Sequence, residues 1–188
     1  MRQQATYQDL VALPENMIGE IIEGELYASP RPGVAHANAA TALAAILRSR
    51  FGRRGGGDNP GGWHILFEPE LHLGEDVLVP DIAGWRHATL PTLPRTPAVE
   101  VAPDWICEIL SAGTARLDRA KKLPVYATHR VSWAWIVDPE QQLLEVKRLE
   151  ARRWSDLAVY AGATPARIPP FDAIEIDLAE IWGSPAPS

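Results

Sequence analysis

A single cysteine, Cys107, stands among the 188 residues. It excludes an intramolecular disulfide and a cysteine-rich zinc site, and it makes a reducing cytoplasm the simplest setting. No apolar run approaches the ~18 residues needed to span a bilayer. The start, Met1-Arg-Gln-Gln-Ala-Thr6, lacks the apolar core of a signal peptide. A soluble, cytoplasmic chain with no membrane partner is therefore expected. Basic charge is also short, with 18 Lys and Arg against 24 Asp and Glu and a net charge of −6. That balance argues against constant, strong nucleic-acid binding, which needs a basic footprint. It does not exclude an enzyme acting on nucleic acids, because metal-binding carboxylates are counted without their cations. The glycine-rich segment Gly52–Gly62 lacks the Gly-Lys-Ser/Thr ending of a phosphate-binding loop, so nucleotide binding is not read there. Internal repeats are absent, and one domain over residues 1–182 with a loose tail at 183–188 is expected.

With 46% hydrophobic and 22% charged residues, the composition is that of an ordinary globular chain. Thr6-Tyr-Gln-Asp9 has capping-box spacing, so a short helix is expected until Pro14 ends it. Gly19–Ile22 and Glu25–Ala28 flank Glu23-Gly24, which reads as a hairpin. Alanine content and i, i+3, i+4 spacing predict a helix over His36–Phe51. Trp63–Leu73 and Val77–Trp85 read as two antiparallel strands around a turn at Gly74–Asp76, with Asp81 near the middle of the second. Pro80 cannot donate to a ladder, which implies an edge or a bulge beside Asp81. A proline-rich loop follows over His87–Pro103, then a buried strand over Asp104–Leu110. A helix is expected over Ala115–His129, kinked at Pro124. Strands follow at Trp133–Asp138, Leu143–Leu149 and Trp154–Tyr160, then a short strand and a helix in Asp172–Trp182.

Asp81 and Glu108 interrupt apolar runs, where an ionised carboxylate is costly unless a cation or donors compensate it. Two such acids suggest a hard-metal site, because Mg²⁺ takes oxygen ligands and needs only one or two protein carboxylates. On a period of two, Ile106, Glu108 and Leu110 share a face, so a solvated position does not explain Glu108. It is a functional carboxylate or half of a buried structural pair. Asp118, Lys122 and Tyr126 are spaced i, i+4, i+8 along one side of their helix. Two basic clusters, Arg48, Arg50, Arg53 and Arg54, and Arg116, Arg119, Lys121 and Lys122, read as solvated helix faces. His36 is either a neutral hydrogen-bonding residue near a site or merely a helix-start residue, since an imidazolium there opposes the helix dipole. Glu20, taken alone, reads as an exposed strand residue.

Five segments together resemble a known family: Glu20-Ile-Ile-Glu-Gly-Glu25, Val79-Pro-Asp-Ile-Ala-Gly-Trp85, Ala102–Ser111, Asp118–Tyr126 and Trp133–Pro139. In order and spacing they are similar to the Uma-type restriction-endonuclease family, a branch of the PD-(D/E)XK nuclease superfamily. The resemblance implies an α/β, restriction-endonuclease-like fold with a mixed central sheet flanked by helices. It implies a Mg²⁺-dependent endonuclease acting on a DNA substrate, with Mn²⁺ able to substitute; a homodimer is expected because a two-fold pair can cut both strands. Asp81 and Glu108 resemble the two motif acids, and Glu20 the acid contributed from near the N-terminus; with the carbonyl of Ile109 these form the expected metal ligands. The motif lysine position is Leu110 here, and Lys122 on the next helix matches the family's relocated lysine, a base or water-orienting group. Two alternatives stay open: a catalytically inactive nuclease-fold binding module, and a metal-dependent hydrolase of another phosphoester.

Overall fold

A computed structural model describes residues 4–52, 60–111 and 113–183. Arg53 and Arg54, most of the glycine-rich segment, Ala112, residues 1–3 and the tail beyond Gly183 lie outside them. Two sheets form, and the chain passes between them three times. After a capped helical turn, α1 (Tyr7–Val11), strands β1 (Met17–Ile22) and β2 (Glu25–Pro30) make the expected hairpin. Its two turn residues, Glu23 and Gly24, both have positive φ, 53° and 77°, as the turn matching right-handed strand twist requires. The next helix, α2 (Val34–Phe51), begins two residues before its predicted start. Val34 is 88% exposed, so the apolar periodicity becomes visible only after it.

Each of the two long strands expected in Trp63–Trp85 is split in two. The outer pieces, β3 (Trp63–Phe67) and β6 (Ile82–Arg86), pair with each other in a large sheet. The inner pieces, β4 (Leu71–Leu73) and β5 (Asp76–Leu78), pair in a small one that also holds β1 and β2. Asp81 therefore lies in the crossing before β6, not within a strand. Pro80 explains the break, because it has no N–H to offer a ladder. The parallel crossing on the other strand is tied to it, with Glu68 N–H donating to the Asp81 carbonyl at 2.9 Å.

The large sheet is completed by β7 (Trp105–Ile109), β8 (Trp133–Asp138), β9 (Leu143–Glu150) and β10 (Arg153–Ala161), in the order β10-β9-β8-β7-β6-β3. Only the β7–β8 pair among these is parallel, which a helical crossover must connect. That crossover is not one kinked helix. It consists of α3 (Ala115–Leu117), a π-helical stretch over Asp118–Lys122, and α4 (Leu123–Thr128). Pro124 follows directly on the widened π turn, where the i→i−4 ladder that its missing N–H would interrupt is already broken. The last helix is α5 (Leu178–Trp182), and the strand expected near Asp172 is reduced to an isolated bridge between Ala166 and Ile176.

The large sheet has two apolar faces of different character. One packs Ala39, Ala40, Leu43 and Leu47 of α2 against Trp105, Cys107, Trp135 and Phe171. Small side chains let α2 approach closely, and the aromatic rings meet edge to face at centroid distances of 4.9–5.6 Å. The other face packs Ile106, Ala134 and Ile136 against the small sheet and α4. Glu108 belongs to this second face by strand alternation. No helix among the described residues is long and apolar enough to cross a membrane.

Candidate active site

The acids meet where the small sheet joins the large one. Along β6 and β7 the register pairs Ile82 with Cys107 and Ala83 with Ile106. Continued by one residue, it brings Asp81 beside Glu108. The ladder stops there, and the Ile109 N–H, left without a strand partner, donates to Asp81 Oδ2 at 2.6 Å. The N–H and C=O of one strand residue face the same neighbour, so the Ile109 carbonyl is directed to the same side. On β1, Glu20 is only 5% exposed and its Oε1 accepts from the Val79 N–H at 2.8 Å. An exposed strand position is thus excluded for Glu20.

Glu20, His36, Asp81, Glu108, Asp118 and Lys122 line one cavity of about 50 Å³. That is room for about three waters by the volume a buried water needs. Lys122 is at its centre. Its Nζ lies 3.0 Å from Glu20 Oε1, 2.9 Å from Glu108 Oε1 and 3.6 Å from Asp118 Oδ1, and it donates to the Val79 carbonyl at 3.2 Å. Tyr126, one turn further, donates its hydroxyl to Glu108 Oε1 at 2.7 Å. The i, i+4, i+8 side thus faces inward, and a surface lysine paired with Asp118 is excluded for Lys122.

Its neighbour differs. Lys121 points outward and pairs with Glu23 at 2.9 Å, and Arg119 pairs with Glu145. The second basic cluster is therefore not one solvated face: it contains a buried lysine and two residues committed to surface acids.

Burial and excess negative charge govern the protonation of this set. Burial pushes Glu108 well above the ordinary carboxylate range, against the pull of Lys122, and nearby acids push it further. Asp118 is raised to about 6, chiefly by burial. Burial opposes the ammonium of Lys122, but Glu108 and Glu20 outweigh it and hold its pKa well above the ordinary lysine value. Three carboxyl groups surround the lysine and hold it charged.

His36 is the residue for which the sequence left two readings. The structure places it at the site, with Nε2 3.0 Å from Asp81 Oδ1, but the environment there favours the charged imidazole over the neutral one expected. Burial pushes its pKa down, yet the Asp81 hydrogen bond and charge turn the net shift upward. Asp81 thus supplies the compensation that an imidazolium at a helix start lacks. Asp118 as a buried acid and Tyr126 as a partner of Glu108 were not assigned from sequence, although their shared spacing with Lys122 was the available signal.

Whether the set suits a divalent ion can be judged from its donors. Four acids, Glu20, Asp81, Glu108 and Asp118, face one lysine and one histidine, so hard oxygen donors are in excess, as Mg²⁺ prefers. Among the described residues, however, no three His, Cys, Asp or Glu side chains already stand together as a ligand shell. The ammonium explains this: it spaces Glu20 and Glu108 around itself at hydrogen-bond distances. The chemistry fits, and the spacing is that of the lysine-filled form.

The family model Uma2, described as "Putative restriction endonuclease", matches residues 5–179. Among solved structures, a "putative nuclease belonging to DUF820" from Anabaena variabilis ATCC 29413 superposes with a TM-score of 0.74. The match covers 95% of this chain and 97% of that one at 21% identity, which establishes a shared fold. No curated protein matches the chain.

Proposed function

The chain belongs to the Uma2 family, and from that membership and the acid–lysine cavity we propose a Mg²⁺-dependent endonuclease that hydrolyses DNA phosphodiester bonds. The observation that carries this reading is convergence: Glu20, Asp81, Glu108 and Lys122 come from four separate segments and line one cavity. Asp81, Glu108, the Ile109 carbonyl and Glu20 are the groups assigned to hold the ion, with Mn²⁺ able to replace Mg²⁺ at such oxygen donors. Bound there, the ion supplies Lewis-acid charge beside a phosphodiester oxygen.

The chain's own residues do the rest. The ammonium of Lys122 orients the attacking water and offsets negative charge that grows on the phosphoryl oxygens, a stabilisation specific to the transition state. Orientation and charge suit it better than proton removal, since the acids around it favour its protonated form. The Ile109 N–H and His36 fix both oxygens of Asp81, and Tyr126 fixes Glu108. Two copies related by a two-fold axis present two such cavities to the two strands of a duplex, so the active form in this reading is a homodimer. A fully buried Cys107 suits the reducing cytoplasm in which we place it.

The test is incubation of the purified protein with supercoiled plasmid, with Mg²⁺, Mn²⁺ or chelator, beside the Asp81→Asn variant. Ion-dependent nicking that the variant lacks is expected. Intact plasmid under every ion would end the DNA reading, and hydrolysis confined to RNA or to small phosphoesters would reassign the substrate. Light scattering at twice the 20.6 kDa chain mass is expected for the dimer, and a monomer at micromolar concentration contradicts paired cutting.

A further inference from the structure

Resting on that metal-dependent reading, we propose that Lys122 is a resident counter-ion which a divalent ion displaces from Glu20 and Glu108 onto Asp118. The ammonium occupies the space between two proposed ligands, one on each sheet: Glu20 Oε1 at 3.0 Å and Glu108 Oε1 at 2.9 Å. Those separations suit an ammonium. Mg²⁺ takes its oxygens at ~2.0–2.1 Å, so Glu20 and Glu108 reach an ion only by closing into the space Nζ holds. Two cations cannot share these oxygens without strong repulsion at low dielectric. Ion binding is therefore an exchange.

The third acid gives the displaced ammonium a place to go. Asp118 lies at 3.6 Å, longer than the other two contacts, and is outside the assigned ligand set. It is carried on the same π-helical stretch as Lys122, four residues earlier, so movement of the small sheet does not separate the two. π-Helical turns of this kind recur at functional sites. The donor count points the same way: four acids face one lysine and one histidine, so the pocket holds more carboxyl groups than its own bases can pair. Asp118 is thus a positioning residue, acting through Lys122, and the lysine has two stations.

Isothermal titration of Mn²⁺ into wild type and Lys122→Met reads the competition directly. Methionine keeps the length of the stem and removes the charge. Ion affinity about tenfold or more higher in the variant is expected, equivalent to about 1.4 kcal/mol, with a larger rise in melting temperature on adding the ion. Equal or weaker binding by the folded variant overturns the proposal. Should Lys122→Met not fold, crystals of the wild type with and without Mn²⁺ decide the matter. Nζ is expected to leave hydrogen-bond reach of Glu20 and Glu108 and remain on Asp118; Nζ still on both acids beside a bound ion overturns the exchange. Wild type that binds no ion in either experiment removes the metal-dependent reading itself, and this inference with it.

Discussion

Two lysines of this protein are each bracketed by acids, and they behave as opposites. Lys147 on β9 pairs with Glu145 at 3.3 Å and with Asp156, whose side chain is 77% exposed. Lys122 pairs with Glu20, Glu108 and Asp118, none more than 7% exposed. Lys147 is itself largely covered, but Asp156 stays in water and Glu145 is also held by Arg119, so neither of its partners depends on this lysine alone. In the cavity each group depends on the others, and removing one strands the rest. The same side-chain chemistry is ornamental in one region and indispensable in the other. Burial of the partner acids, not pairing, marks the functional set.

Breaking the buried set should have the largest effect. Glu108→Gln is expected to lower Mg²⁺-dependent DNA cleavage by ~10²–10³-fold, the scale of losing a charge-placing group in an active site, with weaker ion binding by calorimetry. Wild-type turnover in that variant would remove Glu108 from the mechanism. Next, Lys122→Ala should reduce cleavage by at least ~10²-fold, while Lys121→Ala, which breaks only the outward pair with Glu23, should cleave as wild type does. Similar rates for the two would place the working ammonium elsewhere.

The comparison is sharpened by pH. Asp118 titrates near 6 when folded against an ordinary value of 3.8. Its folded pKa is the higher one, so its contribution to stability is complete below 3.8 and is lost as pH rises through about 6. Urea melts of the ion-free protein should show wild type losing up to about 3 kcal/mol over this window relative to Asp118→Asn. Parallel pH profiles for the two proteins would contradict the shift. The smallest effect on cleavage belongs to the outer strands: Lys147→Ala should leave it unchanged while lowering the melting temperature, as plasmid assays and melts can check.

Much of this arrangement was legible in the sequence, for reasons that can be named. Glu108 sits between Ile106 and Leu110 on one strand face, so its burial followed from alternation alone. Asp118, Lys122 and Tyr126 repeat at helical spacing, and the π turn did not move them off one side. The ordered segments also pointed to the Uma-type family, which the match over residues 5–179 bears out. What sequence could not supply was the change of sheet at Val79–Asp81. Pro80 announced an irregularity, but nothing local says that the pieces on either side join different sheets. For that reason Asp81 was expected inside a strand. The lysine was likewise treated as separate from the metal ligands, because contact between Lys122 and Glu20 spans the whole intervening topology. His36 met Asp81 by the same long-range route.

The paired crossings at Glu68–Glu70 and Val79–Asp81, stitched by the Glu68-to-Asp81 hydrogen bond, make the protein resemble a book. The small sheet is one cover, carrying Glu20, and the large sheet is the other, carrying Glu108. Asp81 lies in the spine. Opening the covers leaves a residue of the spine almost where it was and separates groups fixed to the two boards. The acid pair on the boards is then a gauge of the opening angle, and Lys122, touching both, is the clasp.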